Sequence, residues 1–284
     1  MLPSAFDAFA ADYDAAFTHS PLGQLLRRRV WRVLADYFQA GQTVLELACG
    51  TGEDAVWLAQ RGVSVTATDG SAEMVKATAV KAQQNNLSDH ITPLQLSLQA
   101  IAEERIAYCV LRNSTQYAIR NTQYDGAFSN FGGLNTLSEW RPLAAALARL
   151  VRPGGHLVLV PMGPVCPWEI GWYGLHGQWK TAVRRWRQPA TARIGHSLIP
   201  VWYPSARRLR QDFAPWFECV HVESLGLWLP PSTLAPWVER RPRLFAALNR
   251  LEDKTARLSP GWGDHYIMVL GRRESSPYNN GLDD

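Results

Sequence analysis

The sequence lacks long apolar runs and paired cysteines, and each absence excludes a class of protein. Its 284 residues contain no stretch of about 18 consecutive apolar residues, so no membrane span is expected. The first residues show no basic segment followed by an apolar one, so we expect no signal peptide. The four cysteines, at 49, 109, 166 and 219, form no C-x-x-C pair. We therefore expect reduced thiols, no metal site and a cytoplasmic protein.

Composition indicates one large domain that is rich in tryptophan. At 46% apolar the chain can bury a full core, and its length suits a single α/β domain with insertions, spanning 1–284. We expect a core made of residues 41–160 and 204–273, covered by a cap from residues 1–40, 161–203 and 226–262. Eight of the 12 tryptophans lie between Trp168 and Trp237.

The chain is basic, with net charge +4 and a pI near 9.0. Clusters of arginine begin at Arg27, Arg184, Arg207 and Arg240. One interpretation is a surface for nucleic acid or an anionic substrate. The other is a set of solvated helix faces, which we favour because the clusters are separate and acidic residues lie near them.

The stretch from Thr43 to Asp69 has the pattern strand, glycine turn, helix, strand, carboxylate. The apolar run at 44–47 is typical of a strand buried on both faces. Gly50 and Gly52 allow a sharp turn that can approach a ligand closely, and the following helix points its N-terminal amides at that ligand. The next strand ends at Asp69, where a carboxylate can accept two ribose hydroxyls.

The residues around this turn disfavour a phosphate-bearing ligand. A dinucleotide fingerprint needs a third glycine, but its position is occupied by Glu53, whose charge would repel a pyrophosphate. A phosphate-binding lysine is also absent after Gly52. Glu46, inside the strand just before the turn, would disfavour a phosphate but would suit an amino group.

The motif Glu46-x-Ala48-x-Gly50-x-Gly52, followed by Asp69, resembles motifs I and II of the class I S-adenosylmethionine-dependent methyltransferases. The segments 124–130 (YDGAFSN) and 150–159 (LVRPGGHLVL) resemble the family's fourth strand and its turn into the fifth. Ala48 replaces the usual first glycine, a common variant. The resemblance implies a Rossmann-like α/β fold, with a seven-stranded, mostly parallel sheet, an antiparallel last strand and a helical cap.

The resemblance also implies S-adenosylmethionine as cofactor and assigns its contacts. Tyr13 is a candidate lid contact or a packing tyrosine, and Met74 is a candidate adenine neighbour or a core residue. Gln99 and Ala100 fall where the family often has an acid and a small residue at the adenine amino group. The predicted cofactor-binding residues are Tyr13, Glu46, Ala48, Gly50, Gly52, Asp69, Gly70, Met74, Gln99, Ala100 and Asn130.

Residues 130–135 follow the fourth strand, at the edge where ligands collect in open α/β sheets. Phe131 and Asn135 are predicted substrate contacts there. Enzymes that methylate base amines tend to carry Asn/Asp-Pro-Pro-Tyr at this point, and this sequence does not. That difference argues against DNA or RNA base methylation.

Residues 161–203 contain an aromatic helical face. Trp168, Trp172, Tyr173 and His176 are spaced for one side of a helix. They would either line a substrate pocket, which we favour, with Trp168 and Trp172 as substrate contacts, or pack on the sheet. A hydroxyl acceptor would need a base, and we predict catalytic roles for His176, Glu169 and Tyr173, with His196 as a further candidate.

Other elements are predicted from periodicity and punctuation. Residues 103–123 are expected to form a helix with an inserted turn or hairpin. The remaining expected elements are a helical region at 5–38, a strand at 91–98, helices at 138–151 and 205–213, a strand at 216–225 and a last strand at 264–270.

The sequence therefore predicts a cytoplasmic enzyme that transfers a methyl group from S-adenosylmethionine to N or O of a small organic molecule. The expected partner is that small molecule, with no membrane and no metal, and with nucleic acid disfavoured. Two alternatives stay open: a catalytically silent module that binds the cofactor, and a nucleic-acid methyltransferase.

Overall fold

The structure is a computed structural model that describes residues 5–103, 123–194 and 197–274. The predicted helix and hairpin at 103–123 and the candidate base His196 lie outside the described residues, apart from the ends of the former. The strands are β1 Thr43–Leu47, β2 Ser64–Asp69, β3 Ile91–Gln95, β4 Tyr124–Ser129, β5 Val151–Leu159, β6 Ala190–Ile194, β7 Ser197–Val201, β8 Phe217–Leu225 and β9 His265–Arg272.

Eleven α-helices are present among the described residues. They are α1 Ala10–Tyr13, α2 Pro21–Tyr37, α3 Glu53–Ala59, α4 Ala72–Gln84, α5 Leu98–Ala102, α6 Arg141–Leu150, α7 Pro167–Leu175, α8 Trp179–Ala182, α9 Ala206–Phe213, α10 Ala235–Arg240 and α11 Pro242–Thr255. Single-turn 3-10 or π segments flank several of them, including Asp14–Thr18 directly after α1.

Seven strands form one sheet in the order β3-β2-β1-β4-β5-β9-β8. β1 to β5 are parallel to one another, while β9 is antiparallel to both β5 and β8. The predicted fold class is confirmed. The strand order reverses between β1 and β4, so the carboxyl ends of these two strands form the crevice in which ligands bind in open α/β sheets.

Two hydrophobic clusters, one on each face of the sheet, hold the layers together. One packs α6 and α9 on the sheet through residues such as Leu143 and Phe213. The other packs α2 and α3 on the opposite face through residues such as Leu26 and Leu58. With helices on both faces, the central strands are buried, which explains the nearly continuous apolar run of Val44, Leu45 and Leu47 in β1.

The third strand is shorter than the sequence suggested. β3 ends at Gln95, and the Ser97 side chain accepts a hydrogen bond from the amide of Ala100, capping the short helix α5. The expectation that the strand continues to Leu98 is wrong. Gln99 and Ala100 consequently lie in the first turn of a helix rather than at a strand end, and the Gln99 amide donates to Glu103.

Candidate functional site

The turn after β1 takes the backbone shape that its small residues permit. Ala48, Gly50 and Gly52 all have positive φ, of 54°, 55° and 76°. A Cβ at Gly52 would lie 2.5 Å from Cγ2 of Thr78, so only glycine fits there. Ala48 adopts this region without being glycine, at a cost of about 1–3 kcal/mol that the surrounding fold must offset.

Asp69 lies at the carboxyl end of β2, beside this turn. Its two carboxylate oxygens accept one backbone amide each, Oδ2 from Gly50 at 3.0 Å and Oδ1 from Ser71 at 2.8 Å. Burial raises the pKa of the Asp69 carboxyl, although these amides oppose the shift. Each oxygen can accept a second hydrogen bond, so the carboxylate retains capacity for two hydroxyl donors.

Glu46, near the end of β1, is a buried carboxyl with an unused oxygen. The side chain is 2% exposed, and Oε2 has no hydrogen-bond partner. Burial, reinforced by the nearby charge of Asp54, raises the pKa of Glu46 well above its usual value. Burying an ionised carboxylate without a partner costs free energy. A cationic hydrogen-bond donor next to Glu46 would therefore be stabilising.

Arg27 and Asp54 form a buried ion pair at the same place. Arg27 Nη1 lies 2.6 Å from Asp54 Oδ1, which also accepts the Trp31 indole N–H at 2.7 Å. Asn130 donates to Asp54 Oδ2 at 2.9 Å. The sequence analysis assigned Arg27 to a solvated basic cluster, because nothing local to the run 27–29 reveals a partner at position 54.

Three unpartnered polar atoms surround one cavity: Arg27 Nε, Glu46 Oε2 and Asn130 Oδ1. Each belongs to a side chain that is at least nine-tenths buried. Buried polar atoms without a partner are rare in folded proteins. One donor, one carboxylate oxygen and one amide oxygen, on side chains that line the same cavity, match the ammonium and carboxylate of an amino acid.

The N-terminal segment, residues 5–18, closes this cavity. The Tyr13 ring lies against Gly50, and burial raises the pKa of its hydroxyl to about 12. Asp14 accepts from Thr51 at 2.6 Å and pairs with Lys81 at 2.9 Å, while Asp7 accepts from Ser71. The cavity measures about 20 Å³, roughly one water. The side chains therefore match an adenosyl amino acid in chemistry, but this segment must move to admit one.

The structure places the other predicted cofactor residues near this edge or beside it. Gly70 follows Asp69 and faces Ser97, where a Cβ would lie 3.1 Å from the serine Cβ. Met74 is 2% exposed in the first turn of α4, and its amide donates to the side chain of Ser71, the helix cap, at 3.2 Å. Gln99 and Ala100 do not line the cavity, which Ala48, Gly50 and Asn130 do.

The predicted substrate residues separate into two groups. Phe131 lines the cavity, with φ 50°, and packs edge-on against Phe17. Asn135 is fully buried: its amide donates to the carbonyls of Met162 and Trp202 and accepts from the Met162 amide. Asn135 thus ties three loops together and has a structural role here.

The aromatic face of α7 packs mainly against residues 226–262, the second insertion of the cap, rather than lining the cavity. Trp168 lies 6.4 Å from Phe245, and Trp172 lies 4.7 Å from Trp237 in an edge-on contact. His176 is exposed, and its ring centroid lies 4.3 Å from that of Trp172 with the two rings tilted at 35°. Tyr173 is half-buried on the same helix. These direct contacts support the alternative that this face is a packing surface.

Glu169 is held by two arginines. Both of its oxygens accept from Arg184 and Arg185, and the carboxyl is 2% exposed. Four charge-assisted hydrogen bonds occupy the lone pairs of its two oxygens. This geometry contradicts the predicted role of Glu169 as a base, because its oxygens are already occupied by the two arginines. The sequence could not show that these arginines fold back onto Glu169.

His265, at the start of β9, is a buried histidine that the sequence analysis did not select. It is 6% exposed, its ring meets Phe131 edge-on at 5.7 Å, and it bridges Met162 at the carboxyl end of β5. Its Nδ1 lies 3.2 Å from Asp264 Oδ2, an ion-pair distance without hydrogen-bond geometry. Burial opposes ionisation of Asp264, but His265 and Arg185 outweigh it and hold the Asp264 pKa well below its usual range.

Comparisons with known proteins agree with this geometry. A family profile described as "Methyltransferase domain" matches residues 19–214. A demethylmenaquinone methyltransferase of Clavibacter sepedonicus is 28% identical over 241 residues, 84% of this chain and 80% of the relative. An S-adenosyl-L-methionine-dependent Diels-Alderase of Talaromyces variabilis is 29% identical over 141 residues, 49% of this chain and 43% of the relative.

The solved structures share the fold at low identity. The structure described as a DhpI-SAH complex superposes with a TM-score of 0.55 at 17% identity, covering 96% of this chain and 94% of that one. The chain spans about half the length of some of the relatives it matches. One of these is a demethylmenaquinone methyltransferase of Paenarthrobacter aurescens, which is 28% identical over 163 residues. The match covers 57% of this chain and 55% of that relative.

Proposed function

This chain belongs to the class I S-adenosylmethionine-dependent methyltransferases, and on that premise we propose that it transfers a methyl group to N or O of a small organic molecule. The observation that carries the proposal is the convergence of Glu46, Arg27 and Asp69 at the carboxyl edge of β1 and β2. The protein acts on its small-molecule substrate in the cytoplasm, and nucleic acid is not its substrate. Some of its relatives are named for methylating quinone precursors, which supports a small acceptor.

Each end of the cofactor has a matching group in the chain. Asp69 would accept the two ribose hydroxyls through the lone pairs that Gly50 and Ser71 leave free. Glu46 would hold the ammonium, and Arg27 Nε would hold the carboxylate. Gly50 and Gly52 would let the backbone approach the cofactor closely, and Tyr13 would cover it. Gly70 and Met74 would lie near its adenine ring.

When bound, S-adenosylmethionine supplies a methyl group on a positively charged sulfur. The chain's own residues would have to hold the acceptor's lone pair in line with that methyl group and give the acceptor's proton a path out of the site. The protein mainly aligns the acceptor and excludes water, an effect that can contribute roughly 7–11 kcal/mol to lowering the barrier. Phe131, beside the cavity, is positioned to exclude that water.

A hydroxyl acceptor must pass its proton to a base, and His265 is the best-placed group. It is buried, its ring contacts Phe131, which lines the cavity, and its Nδ1 lies 3.2 Å from Asp264 Oδ2. Among the predicted candidates, His176 is exposed and bonds its Nδ1 to the Trp172 carbonyl. A neutral amine acceptor would need no such base.

We expect His265→Gln to lower kcat for a hydroxyl acceptor by about 10²–10⁴-fold. His176→Gln is the matched control, since it makes the same change on an exposed histidine, and it should change kcat less than threefold, by roughly the scatter expected of a surface substitution. The dependence of kcat on pH distinguishes a base from a packing residue. If His265 is the base, the rise of kcat with pH in the wild type should disappear in His265→Gln. Equal activity of the two variants would remove His265 from this role.

Cofactor binding should release protons from Glu46. Its pKa is raised in the free protein, and a bound ammonium would favour the ionised form, so affinity should rise with pH through that raised pKa and then level off. Calorimetry in buffers of different ionisation enthalpy, below about pH 7.5 where the ligand's own amino group stays charged, measures the protons released. Glu46→Gln should release fewer, by up to about one proton; an unchanged number would exclude Glu46.

Transfer of a labelled methyl group from S-adenosylmethionine into a cell extract tests the function itself. We expect label in the low-mass organic fraction. Label in RNA or DNA would select a nucleic-acid methyltransferase instead. Cofactor binding with no label in any fraction would select a silent binding module.

A further inference from the structure

The exposed apolar side chains concentrate in the two insertions of the cap, residues 161–203 and 226–262. Of the 12 large hydrophobic residues exposed among the described residues, ten lie in these insertions. They are Leu175, Trp179, Trp186, Leu198, Trp228, Trp237, Leu244, Leu251, Leu258 and Trp262. A soluble surface rarely concentrates apolar side chains in this way without a partner.

The exposed charge of the same insertions is almost entirely positive. By sequence they carry 11 basic and four acidic residues, so they hold +7 of a chain whose net charge is +4. Nine of the basic residues are exposed: Lys180, Arg187, Arg193, Arg240, Arg241, Arg243, Arg250, Lys254 and Arg257. Among the described acids, Glu169 and Glu252 are buried, and Asp253 pairs with Arg29 and Arg32.

Contacts join the two insertions into one body. Trp172 of α7 meets Trp237 of α10, and Trp168 of α7 meets Phe245 of α11. Trp262 of the second insertion forms a backbone bridge with Val165 of the first. Within the second insertion, the Trp228 indole donates to Thr255 at 2.8 Å. The exposed tryptophans, leucines and basic residues are therefore carried by a single packed unit.

We propose that the cap docks on the surface of an anionic lipid bilayer. Tryptophan and leucine insert at the boundary between headgroups and acyl chains, and lysine and arginine contact the anionic headgroups. Each basic residue close to such a surface contributes attraction that salt screens. None of the described helices is long and apolar enough to cross a membrane, so the association is peripheral.

The residue types favour lipid over two other occupants. A second copy of the chain would bring two caps of net charge +7 together, and like charges repel across an interface. Single-stranded nucleic acid would use arginine and the tryptophan rings for stacking. It would make little use of Leu175 and Leu258, which are 88% and 78% exposed.

Co-sedimentation with vesicles tests the proposal on the full chain. The probes are vesicles of pure phosphatidylcholine and vesicles with 30% phosphatidylglycerol, at low and high salt. We expect binding to the anionic vesicles at least about tenfold tighter than to the neutral ones, falling with salt. Equal binding to both vesicle types, or none to either, would overturn the proposal.

A matched pair of variants shows which surface binds. Leu175→Ser with Leu258→Ser should weaken binding to anionic vesicles at least about tenfold. The control, Val80→Ser with Val220→Ser, changes the two exposed valines outside the cap and should bind as wild type does. Melting temperatures confirm that both variants fold. Equal losses in the two pairs would overturn the proposal.

Two further readouts separate the alternative occupants. Tighter binding to a fluorescent single-stranded RNA than to anionic vesicles, unchanged by the leucine substitutions, would assign the surface to nucleic acid. A dimer in light scattering that the leucine variant dissociates would assign it to a second copy. Either result overturns the lipid assignment. Neither depends on methyl transfer, so a failure here leaves the proposed function untouched.

Discussion

Replacing Asp69 by alanine is expected to weaken the binding of S-adenosylmethionine about 100-fold or more. In the proposed function the carboxylate would accept the two ribose hydroxyls, and hydrogen bonds to a charged group contribute roughly 1.5–3 kcal/mol each. Two such bonds amount to about 3–6 kcal/mol, and each 1.4 kcal/mol is a factor of about ten in affinity. Titration calorimetry of wild type and Asp69→Ala measures the difference.

Asp69 also holds the turn, so this experiment needs controls. Its oxygens accept the amides of Gly50 and Ser71, and alanine would lose both contacts. Asp69→Asn keeps one acceptor oxygen and the shape, and should lose less affinity than alanine does. Asp89→Ala, which changes an exposed aspartate in the turn between α4 and β3, should bind normally. Unchanged affinity in a folded Asp69→Ala protein would remove Asp69 from its role.

Replacing Arg27 by methionine is expected to lower the free energy of unfolding by about 3–5 kcal/mol. Asp54, which is 4% exposed in the structure, would keep Trp31 and Asn130 as its hydrogen-bond partners among the described residues. A buried charge without its counter-charge is the most costly outcome of breaking an ion pair. Urea unfolding followed by circular dichroism gives the value.

The neighbouring arginine supplies the control for this prediction. Arg28 is on the same helix but exposed, so Arg28→Met should change stability by no more than about 0.5 kcal/mol. A double variant that also replaces Asp54 by leucine should recover part of the loss, since no uncompensated charge remains. A loss in Arg27→Met no larger than that in Arg28→Met would contradict the buried pair.

The first half of the site could be predicted because its signals are local. The apolar run of β1, the glycines at 50 and 52 and the acid at the end of β2 lie within 27 residues, and their spacing alone fixes strand, turn and helix. Positive φ at these positions agrees with the residue types found there. The seven-stranded sheet was predicted from the family resemblance that these residues carry, and the structure confirms it.

The second half could not be predicted because its partners are distant in sequence. Arg27 meets Asp54, and Arg29 meets Glu223 at 3.0 Å, although all three arginines of the run look alike in the sequence. Glu169 has the position expected of a base, but the chain folds Arg184 and Arg185 onto it. His265 gains its interest only through Phe131 and Asp264, which the fold brings together.

A crystal structure with S-adenosylhomocysteine bound tests the central claim most directly. The account predicts that residues 5–18 shift, that both ribose hydroxyls lie on Asp69, and that the amino-acid end meets Glu46 and Arg27. Density for a diphosphate at the Gly50 turn, or an adenosyl ligand located away from Asp69, would contradict it.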